Sequence, residues 1–299
     1  MKYAVDVPHF GEFADARVLA DLAKLTETAG WDGFFIWDHV AMDWPDPVVD
    51  VTVALTAIAM STERIRFGGM VTPLPRRRPW KFARETVTLD RLSAGRLTVG
   101  VGIGIHKAEF DYLGEAPDFK TRAAMLDEGL DVLTGLWAGK QWDVDDLFSY
   151  EGEYYTVHDQ LFWPKPLQEP RIPIWVAGMW PNRAPFRRAA RWDGVVPIHR
   201  HFPDKVINPD DTRDILRYIM EHRQADASFD VTSFDVAVSG TTAGKGKQEA
   251  IDHMASYAAA GATWWLEEVA PIHFDFEPGP GPWPMDRMRD HIAAGPPRV

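Results

Sequence analysis

The segment FFIWDHV, residues 34–40, ends a run of apolar and aromatic side chains on an acid and a histidine. Histidine can take up or release a proton near neutral pH, and an adjacent carboxylate can orient its ring. Asp38 and His39 are therefore candidates for general acid–base chemistry, with Asp38 orienting His39. The alternative is that His39 is a surface residue that simply follows a buried strand.

A glycine-containing segment could let a ligand approach the backbone. VGVGIGIH, residues 99–106, contains Gly102 and Gly104, which carry no side chain to keep a ligand at a distance. It is not a dinucleotide-binding G-x-G-x-x-G motif, because Lys107 occupies the position of the third glycine. Tight packing of a strand against a helix is the alternative explanation.

Small residues also precede a predicted helix in VAGMWPNR, residues 176–183. Ala177, Gly178 and Trp180 lie where a strand gives way to a helix, and backbone N–H groups at a helix start suit a phosphate. The alternative is a plain turn in which Asn182 caps the helix.

Three consecutive arginines in an acidic protein form a third candidate binding segment. PLPRRRPWK, residues 73–81, contains Arg76, Arg77 and Arg78. Guanidinium groups on a rim loop could bind a phosphate or carboxylates. The alternative is that these arginines pair with acids of the protein itself.

Composition excludes several other chemistries. The chain has no cysteine, so disulfides, thiolate metal sites and cysteine nucleophiles are excluded. Its ten histidines are scattered without an H-E-x-x-H motif, and no G-x-S-x-G motif occurs, so neither a metal site nor a serine triad is expected.

A net charge of -12 argues against nucleic acid or an anionic membrane as the main partner. The apolar run at residues 3–5 is too short for the core of a signal peptide, and no later apolar stretch is long enough to span a bilayer. A cytoplasmic location is therefore expected.

Short apolar runs alternate with longer amphipathic segments along the chain. Each run is continuously apolar, as expected for parallel strands covered by helices on the outside. Eight such strand–helix units in 299 residues predict an α/β protein, a (β/α)₈ or TIM barrel, with a doubly wound open sheet as the alternative. The strands are predicted at residues 3–7, 33–37, 64–71, 96–104, 172–178, 193–198, 233–240 and 262–269.

One insertion and one tail interrupt this rhythm within a single predicted domain, residues 1–299. Residues 140–171 form an insertion before the fifth strand, and FSYEGEYYTV within it predicts a hairpin around Glu151-Gly152. Residues 270–299 form a tail, in which a Pro/Gly connector precedes a short helix ending near Ala294.

In a (β/α)₈ barrel the carboxyl ends of all strands meet at one mouth, where the active site lies. Titratable and small residues occupy these predicted ends, which suits a flat ligand lying close to the backbone. The predicted strand ends are residues 7–9, 38–39, 69–71, 102–104, 177–179, 197–199, 239–240 and 267–268.

The ordered set of segments resembles the bacterial-luciferase-like family of flavin- and deazaflavin-dependent oxidoreductases. The longest is TERIRFGGMVTPLPRRRPWKFARETVTLDRLSAGRLTVGVGIG, residues 62–104, and the resemblance covers most of residues 1–270. The other segments lie, in the same order, at residues 30–40, 126–139, 148–157 and 172–197.

The resemblance implies a barrel that holds an isoalloxazine or deazaflavin ring at its mouth. His39 matches the acid–base residue of the second strand. A non-proline cis peptide bond is implied at Met70–Val71, beneath the ring, and Gly102 and Gly104 would flank the cofactor. Ala177, Gly178 and the turn through Trp180 would approach the ring edge or a phosphate.

The chain also departs from one pattern within the family. Deazaflavin-dependent sugar-phosphate dehydrogenases carry a glutamate directly after the second glycine of G-x-G, where this chain has Ile105 and then His106. A sugar-phosphate substrate is therefore not expected. Glu109, one helical turn later, is the candidate for the missing catalytic carboxylate, and Trp44 would help to wall an apolar pocket.

The sequence thus predicts an oxidoreductase or monooxygenase that uses reduced FMN or coenzyme F420 on a small organic substrate. The arginine segment, with Arg76 as the candidate for cofactor binding, suits the charged tail of F420 or the single phosphate of FMN. The family resemblance implies a homodimer and, for FMN, a separate flavin reductase. Two alternatives remain, namely a flavin-binding barrel without catalysis and a metal-dependent barrel hydrolase.

Overall fold

The structure is a computed structural model, and it describes residues 1–43, 46–139, 147–223, 233–276 and 282–298. Its strands are β1 (Lys2–Val7), β2 (Gly33–Ile36), β3 (Arg66–Gly69), β4 (Thr72–Pro73), β5 (Val99–Gly102), β6 (Phe148–Glu151), β7 (Thr156–Gln160), β8 (Ile174–Trp180), β9 (Gly194–His199), β10 (Asp235–Gly240) and β11 (Trp264–Glu268). Its helices are α1 (Ala16–Thr28), α2 (Val51–Ser61), α3 (Pro79–Leu92), α4 (Lys107–Phe110), α5 (Phe119–Trp137), α6 (Arg183–Ala189), α7 (Pro209–Arg223), α8 (Lys247–Ala259) and α9 (Met285–Ala293).

Nine strand segments in the described part of the chain pair in one sheet, in the order β3-β2-β1-β11-β10-β9-β8-β5-β4. β3 and β4 are two parts of one barrel strand, separated by a cis peptide bond between Met70 and Val71. The sheet closes where β4 pairs with β5 and where a bridge joins Phe67 of β3 to Leu97. The nine segments therefore make eight barrel strands, which confirms the TIM-barrel prediction and excludes the open sheet.

Alternate residues of the strands fill the inside of the barrel, which we call the lumen. Their side chains form a buried cluster of Ala4, Phe35, Met70, Trp175, Val196, Ala237, Trp264 and Leu266. Their strand neighbours, such as Val5 and Phe34, belong to the larger cluster that includes residues of the surrounding helices. Because side chains alternate along a strand, a residue two positions beyond a lumen residue also faces the lumen, nearer its carboxyl-terminal mouth.

The predicted hairpin is confirmed by β6 and β7, which pair as antiparallel strands. The Gly152 N–H donates to the Tyr155 carbonyl in the turn. Glu128 of α5 fastens this turn, since its carboxylate accepts the backbone N–H groups of Glu153, Tyr154 and Tyr155. Residues 140–146 of the predicted insertion lie outside the described residues.

The chain end returns to the start of the barrel. Helix α9 contacts α1, and the Trp31 indole N–H donates to the Ile292 carbonyl at 2.9 Å. The predicted final helix is therefore present, although residues 277–281 of the Pro/Gly connector lie outside the described residues. Among the helices in the described ranges, none combines the length and apolar character needed to cross a membrane.

Candidate active site

The ring of His39 lies against Glu109 at the mouth of the lumen. His39 follows β2, and its Nδ1 atom is 3.3 Å from Oε2 of Glu109. The two side chains are 15% and 1% exposed, respectively. The prediction that Asp38 orients the ring is wrong. Successive side chains leaving an extended strand point apart, so the neighbour in sequence faces elsewhere and a distant carboxylate supplies the contact.

Asp38 instead binds two of the arginines. Its carboxylate accepts from Arg76 at 2.5 Å and from Arg77 at 2.9 and 3.1 Å, while Thr72 adds a further hydrogen bond. Burial alone would raise the pKa of the Asp38 carboxyl. The guanidiniums of Arg77 and Arg76 outweigh burial and hold that pKa at about 2, below its ordinary value of 3.8. Asp38 is therefore a permanent buried anion.

Arg76 was predicted to contact a cofactor, but the structure engages it with the protein's own acids. Besides its bond to Asp38, it lies 3.4 Å from Oε1 of Glu109, and its side chain is only 7% exposed. Arg76 and Arg77 therefore pair with acids of the protein itself, which was the alternative to cofactor binding. Because a buried guanidinium is stable only beside counter-charges, these two arginines join the site carboxylates in one network.

Glu109 reaches His39 because the chain turns sharply at Gly104. Gly104 has a φ of +74°, and a Cβ atom there would lie 2.2 Å from the Phe110 ring. The short helix α4 follows and places Glu109, whose Oε1 accepts the Val40 N–H at 2.7 Å. Gly104 thus acts through backbone geometry, and nothing in its contacts requires a ligand.

Glu109 is held in its charged form. Burial raises its pKa, but the hydrogen bond and charge of His39, together with Arg76 and the Val40 N–H, lower it below its ordinary value of 4.5. A buried carboxylate on Nδ1 favours the tautomer with a proton on that nitrogen, which leaves Nε2 as the acceptor of the neutral ring. His39 therefore has the environment of an acid–base residue.

Two further histidines surround His39, and neither was predicted as a catalytic or cofactor-binding residue, although His9 lies on a predicted strand end. The Nε2 atom of buried His9 is 2.9 Å from the His39 carbonyl oxygen and 3.1 Å from its amide nitrogen. Burial lowers the pKa of His9, so its ring is neutral at pH 7 and steadies the backbone of His39. The ring of His106 meets that of His39 edge-on at 4.7 Å. The segment Val7-Pro8-His9 at a strand end was the signal that could have identified His9.

On another part of the mouth, three small or apolar residues meet at one point. A Cβ atom on Gly102 would lie 3.1 Å from Cγ2 of Val71 and 3.6 Å from Cβ of Ala177. We call Val71, Gly102 and Ala177 the ring wall. Because Gly102 has no side chain, Val71 and Ala177 approach its backbone closely beside the cis peptide bond between Met70 and Val71.

Gly178 and Trp180, predicted to bind cofactor, lie on the outer face of β8. A Cβ atom on Gly178 would lie 2.8 Å from Pro185 of α6. The Trp180 indole N–H donates to Asp211 of α7 at 3.0 Å, and its ring packs on Phe186. The prediction treated Ala177 and Gly178 alike, but alternation along the strand turns them to opposite faces. Both Gly178 and Trp180 fasten helices to the barrel.

An acidic wall, formed by Asp6 and Glu268, completes the mouth. These residues are register partners on the neighbouring strands β1 and β11. Trp37 lies beside them and donates its indole N–H to Oδ2 of Asp6 at 3.2 Å. Glu268 lies on a predicted strand end, whereas Asp6 was not predicted to belong to the site.

The remaining predictions concern Trp44, a metal site and the cap of α6. Trp44, predicted to wall the pocket, lies outside the described residues. Within the ranges that the structure describes, no group of three or more His, Asp or Glu residues is arranged to hold a metal ion. Asn182 precedes α6, but its side chain makes no capping hydrogen bond.

Comparison with known proteins supports the same interpretation of the fold. The family model described as luciferase-like monooxygenase matches residues 5–297. An F420-dependent glucose-6-phosphate dehydrogenase of Beutenbergia cavernae is 33% identical over 175 residues, which cover 57% of this chain and 49% of that protein. The oxygenase component of a flavin-dependent trigonelline monooxygenase of Acinetobacter baylyi is 26% identical over 56% of this chain and 44% of that protein. The chain thus spans about half the length of these relatives.

A solved structure extends the likeness to almost the whole chain. An F420-dependent secondary alcohol dehydrogenase, in complex with an F420–acetone adduct, superposes with a TM-score of 0.75 at 16% identity. The superposition covers 90% of this chain and 94% of that one, which shows a shared fold. With the family match over most of its length and the closed barrel described above, the chain belongs to the luciferase-like monooxygenase family.

Proposed function

We propose that this chain is an F420-dependent oxidoreductase that transfers a hydride to or from a small organic substrate, with His39 as the acid–base residue. The observation that carries the proposal is the position of the His39–Glu109 pair at the same mouth as the ring wall. A proton-handling group and a surface for a flat redox ring are what a coupled proton and hydride transfer needs.

The ring wall would hold the cofactor. Val71, Gly102 and Ala177 would contact one face of the ring, and the cis peptide bond between Met70 and Val71 would lie beneath it. When bound, the cofactor supplies the two-electron chemistry, and the barrel supplies orientation and excludes water. Arg76 would act indirectly, by holding Asp38 and Glu109 in place.

His39 would exchange a proton with the substrate through Nε2. Glu109 lies against Nδ1 and would keep the proton on that nitrogen in the neutral ring. When Nε2 accepts a proton, the Glu109 carboxylate would stabilise the resulting imidazolium. His9 would keep the His39 backbone, and hence its ring, in one position during both steps.

F420 is proposed first because relatives above 30% identity are named as F420-dependent enzymes. FMN is the second candidate, since a relative at 26% identity is named as a flavin-dependent monooxygenase. With FMN, a separate reductase would supply the reduced cofactor, and the same wall and histidine would serve an oxygenation. A sugar phosphate is not proposed as substrate, because Ile105 replaces the glutamate and is 50% exposed at the mouth.

The test compares His39→Gln with the wild-type protein. After a screen of alcohols and carbonyl compounds for substrate-dependent cofactor oxidation or reduction, turnover should fall by ~10²–10⁴-fold in the variant. Cofactor affinity should stay close to wild type, because the ring wall is intact. His158→Gln, on the exposed hairpin strand β7, is the matched control and should keep full turnover. Wild-type turnover in His39→Gln would refute the role of His39.

A further inference from the structure

The acidic wall faces the lumen from the side opposite the ring wall. Asp6 lies two residues beyond Ala4, and Glu268 two residues beyond Leu266, and both of these belong to the lumen cluster. Alternation along the strands therefore turns both acids inward. In the closed order of strands, β1 and β11 stand across the barrel from β8 and β5, which carry Ala177 and Gly102.

Asp6 is buried without a full set of partners. The residue is 4% exposed, and its Oδ2 accepts the indole N–H of Trp37. Its Oδ1 is buried and has no hydrogen-bond partner among the described residues. Burial, and then the nearby charge of Glu268, raise the pKa of Asp6 well above its ordinary value of 3.8. A buried polar atom without a partner costs free energy, so the site favours a ligand that supplies one.

Glu268 is the inward member of a pair of glutamates with different surroundings. Its neighbour Glu267 points outward and is fully paired by Thr242, Trp265 and His291. Glu268 instead contacts only the ring of His273, at 3.1 Å, among the hydrogen bonds seen in the described ranges. Glu267 therefore has a structural role that Glu268 does not share.

We propose that Asp6 and Glu268 bind a positively charged nitrogen of the substrate, which makes an organic ammonium compound the substrate class of this enzyme. This inference rests on the proposed function, because it assumes that the cofactor occupies the opposite, ring wall. The substrate would then lie between the cofactor and the two acids, with its reacting carbon within reach of His39.

A single bound cation would account for two neighbouring acids at this point of the mouth. Adjacent strands lie roughly 4.8 Å apart, so the two carboxyl groups are close enough to share one ammonium group. Two neighbouring carboxylates repel each other, and a single cation between them removes that repulsion. Both oxygens of Asp6 would then have a partner, with Trp37 on one and the ammonium N–H on the other. A neutral hydroxyl or carbonyl group would leave the second acid uncompensated.

The test uses the full chain and a pair of probes that differ in charge. Benzylammonium and benzyl alcohol are titrated by calorimetry, with and without cofactor, into wild type, Asp6→Asn and Glu268→Gln. Wild type should bind benzylammonium about tenfold or more tightly than benzyl alcohol. Each variant should weaken benzylammonium binding by about 30-fold or more and leave benzyl alcohol unchanged. Glu63→Gln, an exposed acid-to-amide change far from the mouth, should match wild type.

Several outcomes would overturn the proposal. Equal affinity for the two probes, or unchanged benzylammonium binding in Asp6→Asn, would show that the acids do not recognise a cation. Weakened binding of benzyl alcohol alone in Asp6→Asn would assign Asp6 as a neutral hydrogen-bond donor. A cofactor titration separates this inference from the proposed function. Normal cofactor binding without benzylammonium binding overturns the cation site alone. Failure of cofactor binding overturns the proposed function, and the probe titration without cofactor then decides whether the two acids bind a cation.

Discussion

Replacing Asp38 by asparagine tests the network that supports the site. The change keeps the size of the side chain and removes its charge. The carboxylate lies between Arg76 and Arg77, and all three side chains are largely buried, with exposures of 1%, 7% and 16%. The variant therefore leaves two buried guanidinium groups with less counter-charge.

The expected loss can be worked from the pKa. A folded-state pKa of about 2 against an ordinary value of 3.8 is equivalent to roughly 2 kcal/mol of folding free energy at neutral pH. Removing one partner of a buried ion pair typically costs ~3–5 kcal/mol. Since the amide can still accept hydrogen bonds, we expect Asp38→Asn to destabilise the protein by roughly 2 to 4 kcal/mol.

Urea unfolding at pH 7.5, followed by the fluorescence of the thirteen tryptophans, measures this loss. Asp43→Asn is the control, because Asp43 is exposed, and it should change stability by less than about 0.5 kcal/mol. A double variant with Arg77→Gln should recover part of the loss, because it removes one uncompensated charge. Equal stability of Asp38→Asn and wild type, or strictly additive losses in the double variant, would refute the reasoning.

Three further predictions concern residues on the barrel strands, two facing the lumen and one facing the helices. Gly102→Val should weaken F420 or FMN binding about tenfold or more in a fluorescence titration, because its side chain fills the ring wall, and its Cβ, 3.1 Å from Cγ2 of Val71, should also lower Tm. Gly178→Ala should lower Tm without weakening cofactor binding: its Cβ meets Pro185 at 2.8 Å, so Tm should fall by the equivalent of ~1–3 kcal/mol while cofactor affinity holds. The raised pKa of Asp6 means that its stabilising contribution is full below about pH 4 and is lost as pH rises through its folded-state pKa. Asp6→Asn should therefore match wild type in Tm near pH 4 and exceed it at pH 7.5, and a constant difference across that range would contradict the assignment.

The barrel can be predicted from the sequence because of the way its strands are buried. Runs such as those around Phe34 and Val195 are apolar on both faces, since helices cover one side and the lumen cluster the other. The hairpin is equally readable, because Glu151-Gly152 is a local turn signal. The location of His39 at the mouth follows from the same alternation of elements.

The partners within the site could not be predicted in the same way. His39 meets Glu109, which is 70 residues away along the chain, while its neighbour Asp38 turns to Arg76. Such contacts depend on side-chain direction and on the turn at Gly104, and neither is encoded in spacing along the sequence. Likewise, the sequence of β8 does not show which of the adjacent residues Ala177 and Gly178 faces the lumen. That becomes clear only when the lumen residues are known from the structure.

The most direct test of the central claim is a titration of the full chain with F420 and with FMN, in oxidised and reduced forms, followed by the fluorescence of the ring. We predict that one of them binds with a single site per chain and that Gly102→Val weakens this binding, whereas Gly178→Ala does not. Failure of both cofactors to bind, or equal weakening by the two glycine variants, would contradict the assignment of the ring wall.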